Sequence, residues 1–158
     1  MFLPKVTDIY QLHRVIERIH NGEFFWRGEG QTTAYIYLMA GEVELGDPGN
    51  QYLYVGENEM CAKMAARDFL DLVVEVYPEM SAYKKHLNWF PTTVILPHGQ
   101  RFIFMGIDTF VLPQALKGVR FDRVFFDVSE QTQRQYDDHN DKLELALLEL
   151  LATNTEVL

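Results

Sequence analysis

Residues 22–34, reading GEFFWRGEGQTTA, constrain the fold more than any other stretch of the chain. The short apolar run Phe24-Phe25-Trp26 breaks off at Arg27-Gly28-Glu29-Gly30, and Gln31-Thr32-Thr33 then leads into AYIYLMAG, spaced like the start of a helix. A strand, a loop with two glycines and a helix opening on threonines form a layout that cradles anions. Glycine lets backbone N–H groups converge, and the helix N-terminus adds the positive end of its dipole. Set against the phosphate-loop pattern G-x-x-x-x-G-K-[ST], Gly30-Gln31-Thr32 keeps the second glycine and the hydroxyl. Phe25 stands where the first glycine belongs and Gln31 where the lysine belongs. An ordinary strand-to-helix connection accounts for the same residues, so both readings stand at this point.

Composition narrows the setting. At 158 residues the chain fits one domain able to bury a substantial core, and 47% hydrophobic residues argue against disorder. No apolar run reaches the roughly 18 residues of a membrane span, and MFLPKVTDIYQ lacks the basic and apolar regions of a signal peptide. Cys61 is the single cysteine, which excludes an intrachain disulfide and points to a reducing, cytoplasmic setting. A formal net charge of −9 works against a general nucleic-acid-binding surface, so any DNA contact is expected to be local or supplied by a partner.

Along the chain, Thr7 or Asp8 caps an expected helix over 9–19 with Leu12, Val15, Ile16 and Ile19 on one face, ended by Asn21-Gly22. A second helix is expected over 33–43, followed by the turn GDPGN and a strand over 51–55. The spacing then predicts a helix over 59–77, turning Cys61, Ala65, Leu72 and Val76 inward and Lys63, Arg67, Asp71 and Glu75 outward, stopped by Pro78. Residues 80–89 are basic and aromatic and fit no element. Strands over 92–96 and 101–105 flank the four-residue loop Pro97-His98-Gly99-Gln100 as a hairpin, and RVFFD over 123–127 reads as a further strand. A long helix, polar and then Leu-rich, is expected over 129–152. Strands alternating with helices imply an α/β fold with a three-layer, mainly parallel sheet. Ligands of such sheets bind at the carboxyl ends of strands, where both the 27–33 loop and Asp127 fall.

The stretch TTVILPHGQRFIFMGIDTFVLPQALKGVRFDRVFFDVSE resembles the approach to, and the whole of, the Walker B strand in the large terminase subunits of bacteriophages, P-loop ATPases that pump DNA into procapsids. WRGEGQTT resembles that family's variable Walker A loop, and QYLYVGENEMCAKMA the strand and helix after it. Tyr10-Gln11 stands where an adenine-contacting glutamine is expected; the resemblance spans roughly residues 8–131. It implies a three-layer P-loop NTPase-like sheet with an inserted β-hairpin. It also implies a nucleotide site at Gln11, Arg27, Gly28, Glu29, Gly30, Gln31, Thr32 and Thr33, with Mg²⁺ and ATP (or ADP) held through Thr32 and Asp127. Asp127 and Glu130 would serve catalysis. The implied partners are other viral packaging or replication proteins, in the cytoplasm of a host cell.

The departures from the family are specific. Gln31 replaces the lysine, with Arg27 as a substitute cation, and Val128 follows Asp127 where the catalytic glutamate belongs, leaving Glu130 as the nearest acid. No nuclease carboxylate cluster follows. Each residue also has an ordinary role: Thr32 as a helix cap, Arg27 as a solvated loop residue, Asp127 as the cap of the next helix. The five histidines lack ligand spacing, and Cys61 reads as core. Two functions follow: a terminase-like nucleotide-binding domain working with other chains, or an inactive P-loop relic that binds or inhibits another protein.

The expected C-terminal helix carries Leu143, Leu147, Leu150 and Leu151 as one stripe, with Leu145, Leu148 and Ala152 partly off it. That breadth suits covering a sheet edge or self-association, and a stable dimer buries about 1,200–2,000 Å². Light scattering tests it: Leu145→Glu/Leu148→Glu should yield a folded monomer from an associating wild type. A wild type that stays monomeric at high concentration, with a variant that unfolds, assigns these leucines to the core.

Overall fold

The computed structural model describes residues 9–23, 30–82, 84–86, 92–107 and 121–129. Helix α1 (Ile9–His20) buries Val15 and Ile19 and packs Leu12 and Ile16 against the same core, as its spacing predicts. Its end is closed by paired backbone bonds, from Gly22 N–H to Ile19 O and from Glu23 N–H to Arg18 O, both 3.1 Å. Helix α2 (Gln31–Leu45) starts two residues before the expected position, because Gln31 and Thr32 belong to its first turn rather than to the loop before it. It buries Ala34, Tyr35, Ile36, Met39, Ala40 and Val43, an inward face broad enough to meet both the sheet and neighbouring helices. After the turn at 46–50 come β1 (Gln51–Gly56) and α3 (Glu59–Val76), whose first turn is capped by Asn58 Oδ1 accepting from Cys61 N–H at 2.8 Å. A 3₁₀ turn (Pro78–Ala82) follows, then β2 (Lys84–His86), β3 (Thr92–Ile95), β4 (Arg101–Gly106) and β5 (Arg123–Phe126).

Among the described residues the sheet has five strands in the order β2-β3-β4-β1-β5. β1 runs parallel to β4 and to β5, and β3 is antiparallel to both of its neighbours, so every strand except β3 points one way. The fold is α/β with a mostly parallel sheet and flanking helices. The PHGQ hairpin joins β3 to β4, with Leu96 N–H bonded to Gln100 O at 2.9 Å. β4 is the parallel neighbour of β1, and β3 is the antiparallel strand that the hairpin adds to the sheet. β2 extends the sheet beyond β3 within the basic, aromatic stretch that carried no periodic signal.

Both faces of the sheet are buried, as layering requires. On one face Tyr52, Tyr54, Phe102, Phe104 and Phe125 pack against α2 and α3. Phe69 of α3 lies 4.5 Å from the Phe102 ring, which stacks on Tyr52 at 4.7 Å. The alternate residues Leu53, Val55, Ile103, Met105 and Val124 form a second cluster on the other face. The expected inward face of α3 needs correction. Ala65 and Leu72 are buried, but Cys61 and Val76 are exposed, and Cys61 is therefore not core. The buried stripe is Ala62, Ala65, Ala66, Phe69, Leu70 and Val73, set by Phe69 fitting over the sheet aromatics while small alanines allow close approach. No helix of the described residues is long and apolar enough to cross a membrane. The helix expected over 129–152, with its leucine stripe, lies outside the described residues beyond Ser129.

At the amino ends of the strands a polar cluster fixes α2 to the sheet. The Glu42 carboxylate pairs with the Arg123 guanidinium and accepts from Tyr52 OH at 3.2 Å, while Gln100 Nε2 donates to Glu42 O at 2.7 Å. Gly46 closes α2 against this cluster. A Cβ there would fall on Tyr52 Oη, 2.7 Å from Glu42 O and 2.9 Å from Gln100 Nε2. Gly46→Ala is therefore expected to destabilise the protein by about 1–3 kcal/mol, the cost of overpacking. Gly41→Ala meets no atom within 4 Å inside the same helix. It should stabilise by roughly 0.5–1 kcal/mol on helix propensity alone. Urea unfolding of both variants checks the pair; equal effects would refute the packing argument.

Candidate functional site

The opposite end of the sheet, where β1, β4 and β5 finish, gathers the chemistry. Parallel pairing continues one rung past β5, with Asp127 N–H bonded to Val55 O at 2.8 Å, and this aims the Asp127 side chain at the face covered by α2. Its carboxyl is buried, 4% exposed for the whole residue. Thr32 in the first turn of α2 donates from Oγ1 to Asp127 Oδ2 at 2.6 Å. Tyr54 of β1 donates its hydroxyl to the same oxygen. Three elements distant in sequence thus converge on one carboxylate.

Burial dominates its electrostatics. It pushes the Asp127 carboxyl up from 3.8 to about 6, against the opposing pull of the Thr32 and Tyr54 hydrogen bonds, with the nearby charge of Glu57 adding to the rise. Burial, then the charge of Asp127, pushes Tyr54 well above its ordinary value. Tyr35, one turn further along α2, is raised by the same two causes, opposed by a hydrogen bond from Gln31. Both tyrosines are neutral at neutral pH, and Tyr54 serves as the donor to Asp127. Glu57, just past β1, holds the end of β5 by accepting Ser129 N–H on Oε1 at 3.1 Å.

The loop's contribution begins at Gly30, which has φ 83° and no side-chain cap. A Cβ there would meet nothing within 4 Å, so the left-handed backbone, not space, is what calls for glycine. The first turn of α2, whose leading N–H groups lack intrahelical acceptors, lies at the end of the sheet where Thr32 meets Asp127.

Of the residues singled out from sequence, Thr32 and Asp127 meet directly, with Gly30, Gln31 and Thr33 beside them in the same turn. Thr32 is not the cap of α2, since Gly30 holds that position, and the Asp127 carboxylate is engaged by Thr32 and Tyr54. Gln11 sits on the exposed side of α1. Arg27, Gly28, Glu29 and Glu130 lie outside the described residues. Among the described residues no three His, Cys, Asp or Glu side chains group as a metal cluster. Tyr54 and Glu57 were not found from sequence. The available signal was QYLYVGE, a strand with tyrosines on one face and an acid just past its carboxyl end.

A search of solved structures finds this fold in the large terminase ATPase domain of Thermus phage P74-26, with a TM-score of 0.51 at 16% identity. The match covers 83% of this chain and 55% of that one, so the chain spans little more than half of that domain's length. At such identity the likeness is one of fold: a terminase-like, P-loop NTPase-like α/β arrangement. No family model matches the chain, and no curated protein resembles it in sequence.

The raised Asp127 pKa fixes a pH dependence. The native state holds the Asp127 proton more tightly than the unfolded chain does. The associated stability is fully present below about pH 3.8 and is lost as pH rises through about 6. Asp127→Asn should remove that loss, gaining on the order of 2 kcal/mol over wild type at pH 7.5 and little at pH 4. Denaturant unfolding at the two pH values checks this. A gap that does not widen with pH would show that Asp127 is not a desolvated acid.

Proposed function

We propose that this chain is a terminase-type nucleotide-binding domain that takes ATP or ADP with Mg²⁺ where α2 meets the carboxyl ends of β1 and β5. The contact of Thr32 with Asp127 carries the proposal. Mg²⁺ takes oxygen ligands at about 2.1 Å in octahedral geometry, usually one or two from protein and the rest from phosphates and water. Neighbouring ligands of such an ion stand about 3 Å apart by that geometry. The Thr32 hydroxyl and the Asp127 carboxylate, 2.6 Å apart and both hard oxygen donors, fit it without rearrangement of the backbone. When bound, the ion supplies neutralisation of phosphate charge.

The residues of the chain do the rest. Gly30 and the first amides of α2 receive the phosphates. Thr32 turns its proton away from Asp127, and Asp127 gives up its own, so nucleotide with Mg²⁺ should bind more tightly as pH rises through about 6. Gln31 is neutral where the pattern has a cation, and its amide is engaged with Tyr35. Arg27 from the start of the loop supplies the charge instead. With Gln31 in place of the lysine and Val128 in place of the acid after Asp127, turnover lies far below the roughly 1–100 s⁻¹ of kinases. The role we assign is in viral DNA packaging beside other packaging or replication proteins, with DNA contact local or through those partners.

Thermal unfolding tests the binding reading. A ligand at a hundredfold excess over Kd stabilises by about 2.7 kcal/mol. For a chain of this size that is a rise of roughly 5–10 °C. ATP with Mg²⁺ should produce it, and Thr32→Ala and Arg27→Ala should each reduce it. An unchanged melting temperature at millimolar nucleotide overturns the reading.

A further inference from the structure

Val128 leaves the position after Asp127 without a carboxylate, yet the neighbouring strand puts one there. β1 and β5 pair in parallel with Val55 opposite Phe126. Two residues further, the same register sets Glu57 beside Val128. Glu57 is bound into this place. The rung after Asp127 N–H to Val55 O would run from Ser129 N–H to the backbone of residue 57, and the Glu57 carboxylate takes that N–H instead, at 3.1 Å. Its chain is held on the other side by Ile107 N–H bonded to Gly56 O at 2.8 Å, and Asn58 then turns the backbone into α3. The carboxylate is therefore fixed at the carboxyl end of the sheet, close enough to Asp127 for its charge to act there.

We propose that Glu57 is the general base of a slow ATP hydrolysis, replacing from β1 the acid that Val128 lacks; this rests on the nucleotide-binding reading above. Glu57 accepts a proton from a water molecule as the water oxygen bonds to the γ-phosphorus. The bond from that phosphorus to the bridging oxygen breaks, its electron pair leaves with ADP, and phosphate departs carrying the water oxygen. The proton returns to solvent from Glu57. A base in this role contributes about 10²–10⁴-fold.

Glu57→Gln keeps an acceptor for Ser129 N–H and removes the base, so it separates chemistry from structure. With the full chain, Mg²⁺ and ATP, phosphate release gives kcat and KM, and thermal unfolding gives nucleotide binding. Wild type is expected to turn over slowly, and Glu57→Gln to lose about 10²-fold in kcat with KM, nucleotide-induced stabilisation and intrinsic melting temperature unchanged. Wild-type kcat in Glu57→Gln overturns the assignment, as does loss of turnover in Glu130→Gln while Glu57→Gln stays active. Parallel loss of stability and binding in Glu57→Gln makes the residue structural and also overturns it. Nucleotide binding by wild type without any turnover removes Glu57 as a base, leaves the binding reading intact and favours the inactive relic. Absence of binding removes both.

Discussion

A carboxylate held out of water at the end of β5 is the constraint on which the rest depends. Burying Asp127 disfavours its charged form, and the two hydroxyls aimed at Oδ2 recover only part of that cost, since the pKa still rises. Such a group destabilises the fold at neutral pH, so packing alone gives no reason to keep it. Strongly perturbed acids of this kind gather at functional sites. Here the perturbation comes with a specific hydroxyl partner at a helix N-terminus, which raises the inference above what burial alone supports.

The carboxylate keeps its geometry because α2 is anchored to β5 at both ends. Thr32 meets Asp127 just past the strand, and Glu42 meets Arg123 at its start, with the Tyr35 ring edge-on to Phe125 between them at 6.3 Å. Ten helical residues rise about 15 Å and four extended ones about 13 Å, so the helix and strand are matched in length and run antiparallel. The Glu42–Arg123 pair is the structural counterpart of the site: opposite charges, both partly buried, satisfying each other. Its contribution is to fix the register of α2 over β5, with Gly46 letting the helix end close down on Tyr52 and Gln100.

This division explains what the sequence made legible. The hairpin, β1, β5 and the buried face of α1 follow from periodicity and turn residues, because those signals lie within ten or so residues of each other. The face of α3 does not, because alanines and polar residues alternate on it without contrast, and Phe69 selects the inward stripe only once the sheet aromatics are in place. β2 is three residues long, and its pairing with β3 carries no local pattern. Thr32 and Asp127 could be nominated singly, from a glycine loop and from a strand end. Tyr54 and Glu57 could not, since their relation to Asp127 is made by parallel pairing across some seventy residues. Tyr54 reads as an ordinary strand aromatic, and Glu57 as loop.

Parallel pairing also bears on how much a fold likeness at 16% identity conveys. The end of a parallel sheet offers a fixed set of positions around the first turn of a helix, and chemistry depends on which functional groups reach them, not on which strand supplies each one. A substitution such as Val128 looks decisive when β5 is read alone. Beside β1, the register that pairs Val55 with Phe126, carried on two residues, sets Glu57 next to it. Gln31 differs in kind, being a neutral amide where the phosphate-loop pattern has a lysine. The two departures from the phosphate-loop pattern are therefore not equivalent losses. The register sets an acid of the neighbouring strand beside the first, while the second is a neutral amide in the first turn of α2.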